Sequence, residues 1–140
     1  MTKTILLAVD VNDPKGAERP SEKALDLAKS EGAKLHVMNV VPDFGMAVVG
    51  AFFTKDHNAQ MLSEAKAALT DWADGRFGDV DVSLSIDQGT VYEQVLKEAD
   101  ALDVETIVVG AHKSQLTDYL MGPNAARIAR HSKQSVLIVK

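Results

Sequence analysis

The feature that most constrains this chain is a recurrence of short, nearly unbroken apolar runs of strand length, with helical segments between them. The runs are Thr4-Ile5-Leu6-Leu7-Ala8-Val9, Leu35 to Val41, Val80 to Ile86, Thr106 to Val109 and Ser135 to Val139. A strand apolar on both faces must be covered on both faces, which is the condition of a parallel sheet flanked by helices. The first, fourth and fifth runs read this way. The third alternates Val80, Val82, Leu84 and Ile86 with Asp81, Ser83 and Ser85, so it is predicted to be an edge strand with one wet face. The order β-α-β-α-β-α-β-α-β over 140 residues describes one doubly wound, Rossmann-like α/β domain spanning residues 1–140.

Between the runs, helices announce themselves by period and caps. The spacing of Leu62, Ala65, Leu69, Trp72 and Ala73 predicts an amphipathic helix over 62–73. Thr90-Val91-Tyr92-Glu93 has the form of a capping box, followed by an apolar face of Val91, Val95, Ala99 and Leu102, which predicts a helix over 90–102. A first helix is predicted over 20–31, opening near Pro20-Ser21, burying Ala24, Leu25 and Ala28, and stopping at Gly32. The last opens at Gly122-Pro123-Asn124 and ends near Arg130-His131, cations suited to the negative end of its dipole. Residues 42–56 form a long connector with Pro42, Gly45, Gly50 and the Phe52-Phe53 pair. Loops of this length are commonly functional, and Met46, Phe52 and Phe53 are placed either to cover a ligand or partner or to fold down onto the domain.

Several function classes are excluded by what the chain lacks. There is no cysteine, hence no disulfide framework, thiolate zinc site or cysteine nucleophile. The apolar stretch Ile5 to Val9 is too short for a signal sequence or a membrane span, so a cytoplasmic location is expected. Fifteen Lys and Arg scattered among 20 Asp and Glu, for a net charge of -5, do not form the basic face that nucleic acid requires. His36 reads as a packed or rim strand histidine, His57 as a solvated helix residue and His131 as a dipole partner; none has metal-ligand spacing. The glycine and histidine motifs of serine hydrolases, metalloproteases, P-loop enzymes and dinucleotide-dependent oxidoreductases are absent.

In a parallel α/β sheet, ligands bind beyond the carboxyl ends of the strands where the strand order reverses. Attention therefore falls on Asp10 after the first run, Val40 and Val41 closing the second, and Gly110-Ala111-His112-Lys113 after the fourth. Gly110, a gap, and Gly122 opening a helix form a candidate phosphate site, because glycine admits close approach of backbone N–H groups and a helix start favours negative charge. Lys113 and His112 would add side-chain donors, and a phosphate would favour the charged form of His112. The alternative is a turn and a helix cap that bind nothing.

The segments Val108 to His112, Leu120 to His131 and Ser135 to Val139, together with the opening Ile5 to Asp10, resemble the universal stress protein family over the whole chain. The resemblance implies a five-stranded parallel sheet of order 3-2-1-4-5, a homodimer formed through the C-terminal edge strand, and in many members an ATP site with Mg²⁺ accompanying the nucleotide. ADP or AMP are further candidates. The site motif of such members is G-x-x-G, nine residues, then G followed by Ser, Thr or Asn. Here Gly110 and Gly122 match, but Lys113 replaces the second glycine, the gap is eight residues and Pro123 replaces the hydroxyl residue. A subgroup of the family carries a basic residue at that second position. The resemblance implies a nucleotide site of Ala8, Val9, Asp10, Val40, Val109, Gly110, His112, Lys113, Gly122, Pro123, Asn124 and Ala125, with Asp10 near the ribose and the Val40 backbone near the adenine edge. It also implies a binding module, with ATP hydrolysis slow at most.

Beside an enzyme of the wider nucleotide-binding α/β superfamily, for which nothing in the sequence names a second substrate, two other readings remain open at this level. One keeps the fold and drops the nucleotide, leaving a dimerising interaction protein. The other is a phosphoryl-accepting receiver domain built on Asp10, Asp87 and Lys140, although no carboxylate adjoins Asp10 and no helix follows the fifth run.

Overall fold

The computed structural model describes residues 3–41, 55–111 and 122–140. Five strands form one parallel sheet in the order β3-β2-β1-β4-β5, where β1 is Thr4–Val9, β2 Lys34–Val41, β3 Val82–Gln88, β4 Thr106–Gly110 and β5 Ser135–Val139. Among the described residues four helices connect them: α1 Pro14–Glu31, α2 Lys55–Ala73, α3 Val91–Ala101 and α4 Gly122–His131. The order and strand count are those expected from the sequence. β3 lies at an edge, as its alternating pattern predicts.

The sheet separates two cores. Ile5, Leu7, Val9, Leu35 and Val37 point to one face and pack with Ala17, Ala24 and Ala28 of α1 and Leu69 of α2. Leu6, Ala8, Met38, Val40, Ile107 and Val109 point to the other and pack with Val91, Val95 and Ala99 of α3 and Ala125 and Ile128 of α4. Strict alternation along β1 thus feeds both layers, which is why that strand carries no polar residue between Ile5 and Val9.

Element boundaries differ from the sequence reading in instructive ways. α1 starts at Pro14, not near Pro20: Asp13 is its N-cap, accepting from the Gly16 N–H at 3.2 Å, and Pro14 occupies the first turn, where a missing N–H costs nothing. Pro20 lies inside the helix, and its lack of an N–H leaves the Gly16 carbonyl without its usual helical donor. α2 begins at Lys55, seven residues before the predicted 62. The expected Thr90 side-chain cap does not form; the Oδ1 of Asn124 reaches across from α4 and accepts from the Tyr92 N–H at 3.1 Å. Leu102, expected on the apolar face of α3, is 42% exposed because the helix ends at Ala101 and Leu102 is its C-cap.

β5 also departs from the expectation of helices on both sides. It is the second edge strand, with Leu137 38% and Ile138 37% exposed. The polar side of β3 is not simply wet either. Ser83 and Ser85 hydroxyls meet the buried His36 ring at Nδ1 (2.6 Å) and Nε2 (3.0 Å), and Glu98 of α3 lies 3.0 Å from the same Nε2. His36 is therefore packed, as the sequence suggests, but it is also the centre of a polar tie between sheet and helix.

Candidate functional site

The strand order fixes where the site must be. β1 and β4 are neighbours, yet β1 leads through α1 to β2 on one side while β4 leads through α4 to β5 on the other. Right-handed crossovers then put α1 and α4 on opposite faces, and the chain parts above the carboxyl ends of β1 and β4. The turn after β1 enters this opening.

That turn is built by hydrogen bonds. The Asp10 carboxylate accepts from the Asn12 N–H at 2.9 Å, the Asp13 N–H donates to the Asp10 carbonyl at 2.9 Å, and the Val11 N–H donates to Oδ1 of Asn39 at 3.1 Å. Asp10 thus makes the self-capping Asx contact that a purely structural aspartate would make. Its cost points further. Burial, only partly offset by the Asn12 N–H and reinforced by the Asp13 charge, raises its pKa above the ordinary 3.8. A carboxylate held there against its own stability suits a site where it meets ligand hydroxyls.

Beside it, Ala8, Val9, Asp10, Asp13, Gly16, Ala17, Pro20 and Gly110 enclose a cleft of about 10 Å³, room for one water. A larger ligand has to lie above it. Gly110 owes its identity here to packing: a Cβ would stand 3.1 Å from Cγ of Pro20 and 3.6 Å from the Gly16 carbonyl oxygen, so glycine lets α1 approach β4. Gly16 is likewise covered by its own cap, since a Cβ would collide with the Asp13 carboxylate. Neither Asp13 nor Gly16 is singled out by the sequence analysis, although Asp-Pro before a helical pattern is a readable N-cap signal.

The other expected residues divide into three groups. Ala8, Val9, Val40, Val109 and Ala125 are all at most 4% exposed and belong to the two cores, so their side chains serve packing and only their backbones are left for a ligand. Gly122, Pro123 and Asn124 form the first turn of α4, and Ala125 joins Ala8, Val40 and Val109 in one cluster, which sets that turn at the carboxyl end of the sheet. The start of a helix turns its first backbone N–H groups toward its N-terminal end, and Pro123 has none to offer. Asn124 is 8% exposed and its carbonyl oxygen is committed to Tyr92. His112 and Lys113 lie outside the described residues, as do Met46, Phe52 and Phe53.

The topology removes the receiver reading. Asp10 follows β1 and Asp87 lies in β3, with β2 between the two strands, so two inter-strand spacings, roughly 10 Å, separate the two positions. Asp87 instead joins the His36 tie, and burial, then the Glu98 charge, raises its pKa. Among the described residues no group of three or more His, Asp or Glu side chains could hold a metal ion, and no helix is long and apolar enough to cross a membrane.

A model of the universal stress protein family matches residues 1–140. The chain belongs to that family. This universal stress protein is 26% identical over 145 residues to universal stress protein G of Salmonella typhimurium, with all of both chains covered. Its fold matches the universal stress protein UspA from Lactobacillus plantarum with a TM-score of 0.78 at 17% identity, covering 99% of this chain and 97% of that one. It also matches a universal stress protein in complex with cAMP (TM-score 0.62, 24% identity, 99% and 97% covered) and one from Archaeoglobus fulgidus in complex with dAMP (0.62, 18%, 99% and 98%).

The half-buried Asp10 carboxylate gives a pH-dependent prediction. With its folded pKa raised, the folded state prefers the protonated form, so ionised Asp10 lowers stability at neutral pH and the penalty vanishes below about 3.8, where the unfolded chain is protonated too. Asp10→Asn, which keeps the oxygen that accepts from Asn12, is expected to raise the melting temperature at pH 7 and leave it unchanged at pH 3. An equal or lower melting temperature at pH 7 would contradict this.

Proposed function

We propose that this universal stress protein binds an adenine nucleotide, ATP with Mg²⁺, beyond the carboxyl ends of β1, β2 and β4, and uses occupancy to control association with partner proteins in the cytoplasm. The observation that carries the reading is the convergence of a glycine-opened helix N-terminus with the Asp10 turn at the strand-order reversal. The first turn of α4 supplies Gly122 and Asn124 N–H groups and the positive end of the helix dipole for phosphate. Asp10 supplies a carboxylate for ribose hydroxyls, and the end of β2 supplies backbone for the base. Lys113 and His112 supply positive charge to the phosphates in this reading, offsetting the N–H that Pro123 lacks. The metal comes with the phosphates instead of being held by a protein carboxylate cluster. Relatives in complex with cAMP and dAMP hold ligands that share the adenine, a furanose and one phosphoryl group on the 5′ oxygen, which supports an adenine nucleotide as the ligand class.

The site is one for binding, with hydrolysis slow at most, since every role assigned above is one of holding and orienting. ADP and AMP offer the same base and ribose, and differ in what they give α4.

Isothermal titration of ATP with Mg²⁺ into nucleotide-stripped protein is expected to show micromolar binding, weakened at least tenfold in Gly122→Val, whose side chain blocks approach to the helix start. Absence of heat in the wild-type protein would overturn the reading and leave an interaction protein that works without nucleotide.

The same proposal includes a homodimer through β5. Leu137 and Ile138 are exposed on an edge strand whose outer flank pairs with no strand among the described residues, a combination that favours pairing with a second copy. Light scattering after size exclusion should give twice the 15.1 kDa chain mass for the wild type and the single mass for Leu137→Lys/Ile138→Lys. A monomeric wild type would refute the dimer.

A further inference from the structure

The end of β2 carries an arrangement that bears on which base the site accepts. The backbone of β2 alternates strictly between its neighbours: the Lys34 N–H donates to the Lys3 carbonyl beside β1 at 2.8 Å, the Leu35 N–H to the Asp81 carbonyl beside β3 at 2.9 Å, and the Val41 carbonyl accepts from the Gly89 N–H on the β3 side at 3.0 Å. Even-numbered residues of β2 therefore turn both backbone groups toward β1. Continued to the end of the strand in the observed register, with Val9 opposite Asn39, this ladder would bring the Val11 N–H onto the Val40 carbonyl.

That rung is not made. The Val11 N–H donates instead to the side-chain oxygen of Asn39 at 3.1 Å, and the two bonds to Asp10 fold residues 10–13 into a turn above it. Asn39 is 3% exposed, buried beneath this turn. Because an N–H only donates, the amide oxygen and not the amide nitrogen faces Val11, which fixes the orientation of the side chain. The ladder ends one rung early, and among the described residues no backbone N–H takes the place of Val11 at the Val40 carbonyl.

We infer that Asn39 is a positioning residue for base selection: by diverting the Val11 N–H it leaves the Val40 carbonyl as an acceptor that selects a purine with an exocyclic amino donor at its six position. Adenine has that donor. Hypoxanthine and guanine present an oxygen there, which would set acceptor against acceptor. The inference rests on the nucleotide reading above and adds to it the residue that makes the base discrimination possible. Asn39 itself touches no ligand in this account; it acts through the Val40 backbone.

The experiment measures ATP and ITP binding by the wild type, Asn39→Leu, Asn39→Ser and Asn39→Asp. Leu offers no acceptor and the Ser hydroxyl is too short to reach Val11, so both release the Val11 N–H to the Val40 carbonyl; Asp keeps an oxygen in place. The wild type and Asn39→Asp are expected to prefer ATP over ITP by on the order of tenfold or more, the scale set by leaving a buried acceptor unpaired, and the preference should collapse toward one in whichever of Asn39→Leu and Asn39→Ser is folded. NMR supplies an independent readout: a through-hydrogen-bond coupling from the Val11 nitrogen to the Asn39 side-chain carbonyl carbon in the wild type, replaced by one to the Val40 carbonyl carbon in the Leu or Ser variant. A wild type that binds ATP and ITP equally, a Leu or Ser variant that keeps the preference, or a wild-type coupling to Val40 overturns the inference while leaving nucleotide binding intact. A wild type that binds neither nucleotide overturns both.

Discussion

A right-handed crossover gives a parallel strand one face on which to return its helix, and this handedness generates the site. From the β1/β4 pair the chain winds outward in both directions, so α1 with α2 and α3 with α4 cover opposite faces of one sheet. The two faces need separate cores, hence the unbroken apolar run of β1. They also need a gap between diverging connections, and the turn at Asp10 and the first turn of α4 open at that end of the sheet. Core composition and site location are two consequences of one constraint.

Within the opening, several residues do double duty, and their structural roles are the stronger ones. Gly110 is glycine because Pro20 of α1 packs against it. Asn124 caps α3 across the helix pair, where sequence reasoning gave that task to Thr90. Asp13 covers its own helix start, placing a carboxylate where an anion at α1 would have to sit. A phosphate reading of the glycines alone would have credited the ligand with features that packing already explains. Asp10 is different in that partial burial, as the largest cause, holds its carboxyl above the ordinary carboxylate range, and packing alone does not account for a carboxylate there.

Much of the architecture was legible because periodicity is a direct imprint of burial. Val80, Val82, Leu84 and Ile86 mark β3 as an edge facing one core, and they pack there although the strand itself starts two residues later than the pattern suggests. The start of α1 was obscured by Pro20, which looks like a helix opening and is an interior residue, while Asp13-Pro14 carried the true signal. β5 looked doubly covered because apolar composition alone does not say where in the strand order a run will lie, and β5 lies at an edge. The places of Asp10 in the turn after β1, of Gly110 closing β4 and of Gly122 opening α4 were readable from spacing. Asn39 and the His36 tie were not: each depends on which buried groups meet across strands and helices, and a single polar residue in a strand pattern carries no trace of its partners.

The central claim is that a nucleotide lies over the carboxyl ends of β1, β2 and β4 against the start of α4. Backbone amide shifts in a two-dimensional NMR titration with ATP and Mg²⁺ test it over the whole chain at once. The account predicts saturable changes concentrated at Asp10 to Asp13, Val40 and Val41, Gly110 and Ala111, and Gly122 with Asn124, and little at the far ends of the same strands. Changes centred instead on the α3–α4 groove around Tyr92, Arg127 and Arg130, or no saturable change anywhere, would contradict it.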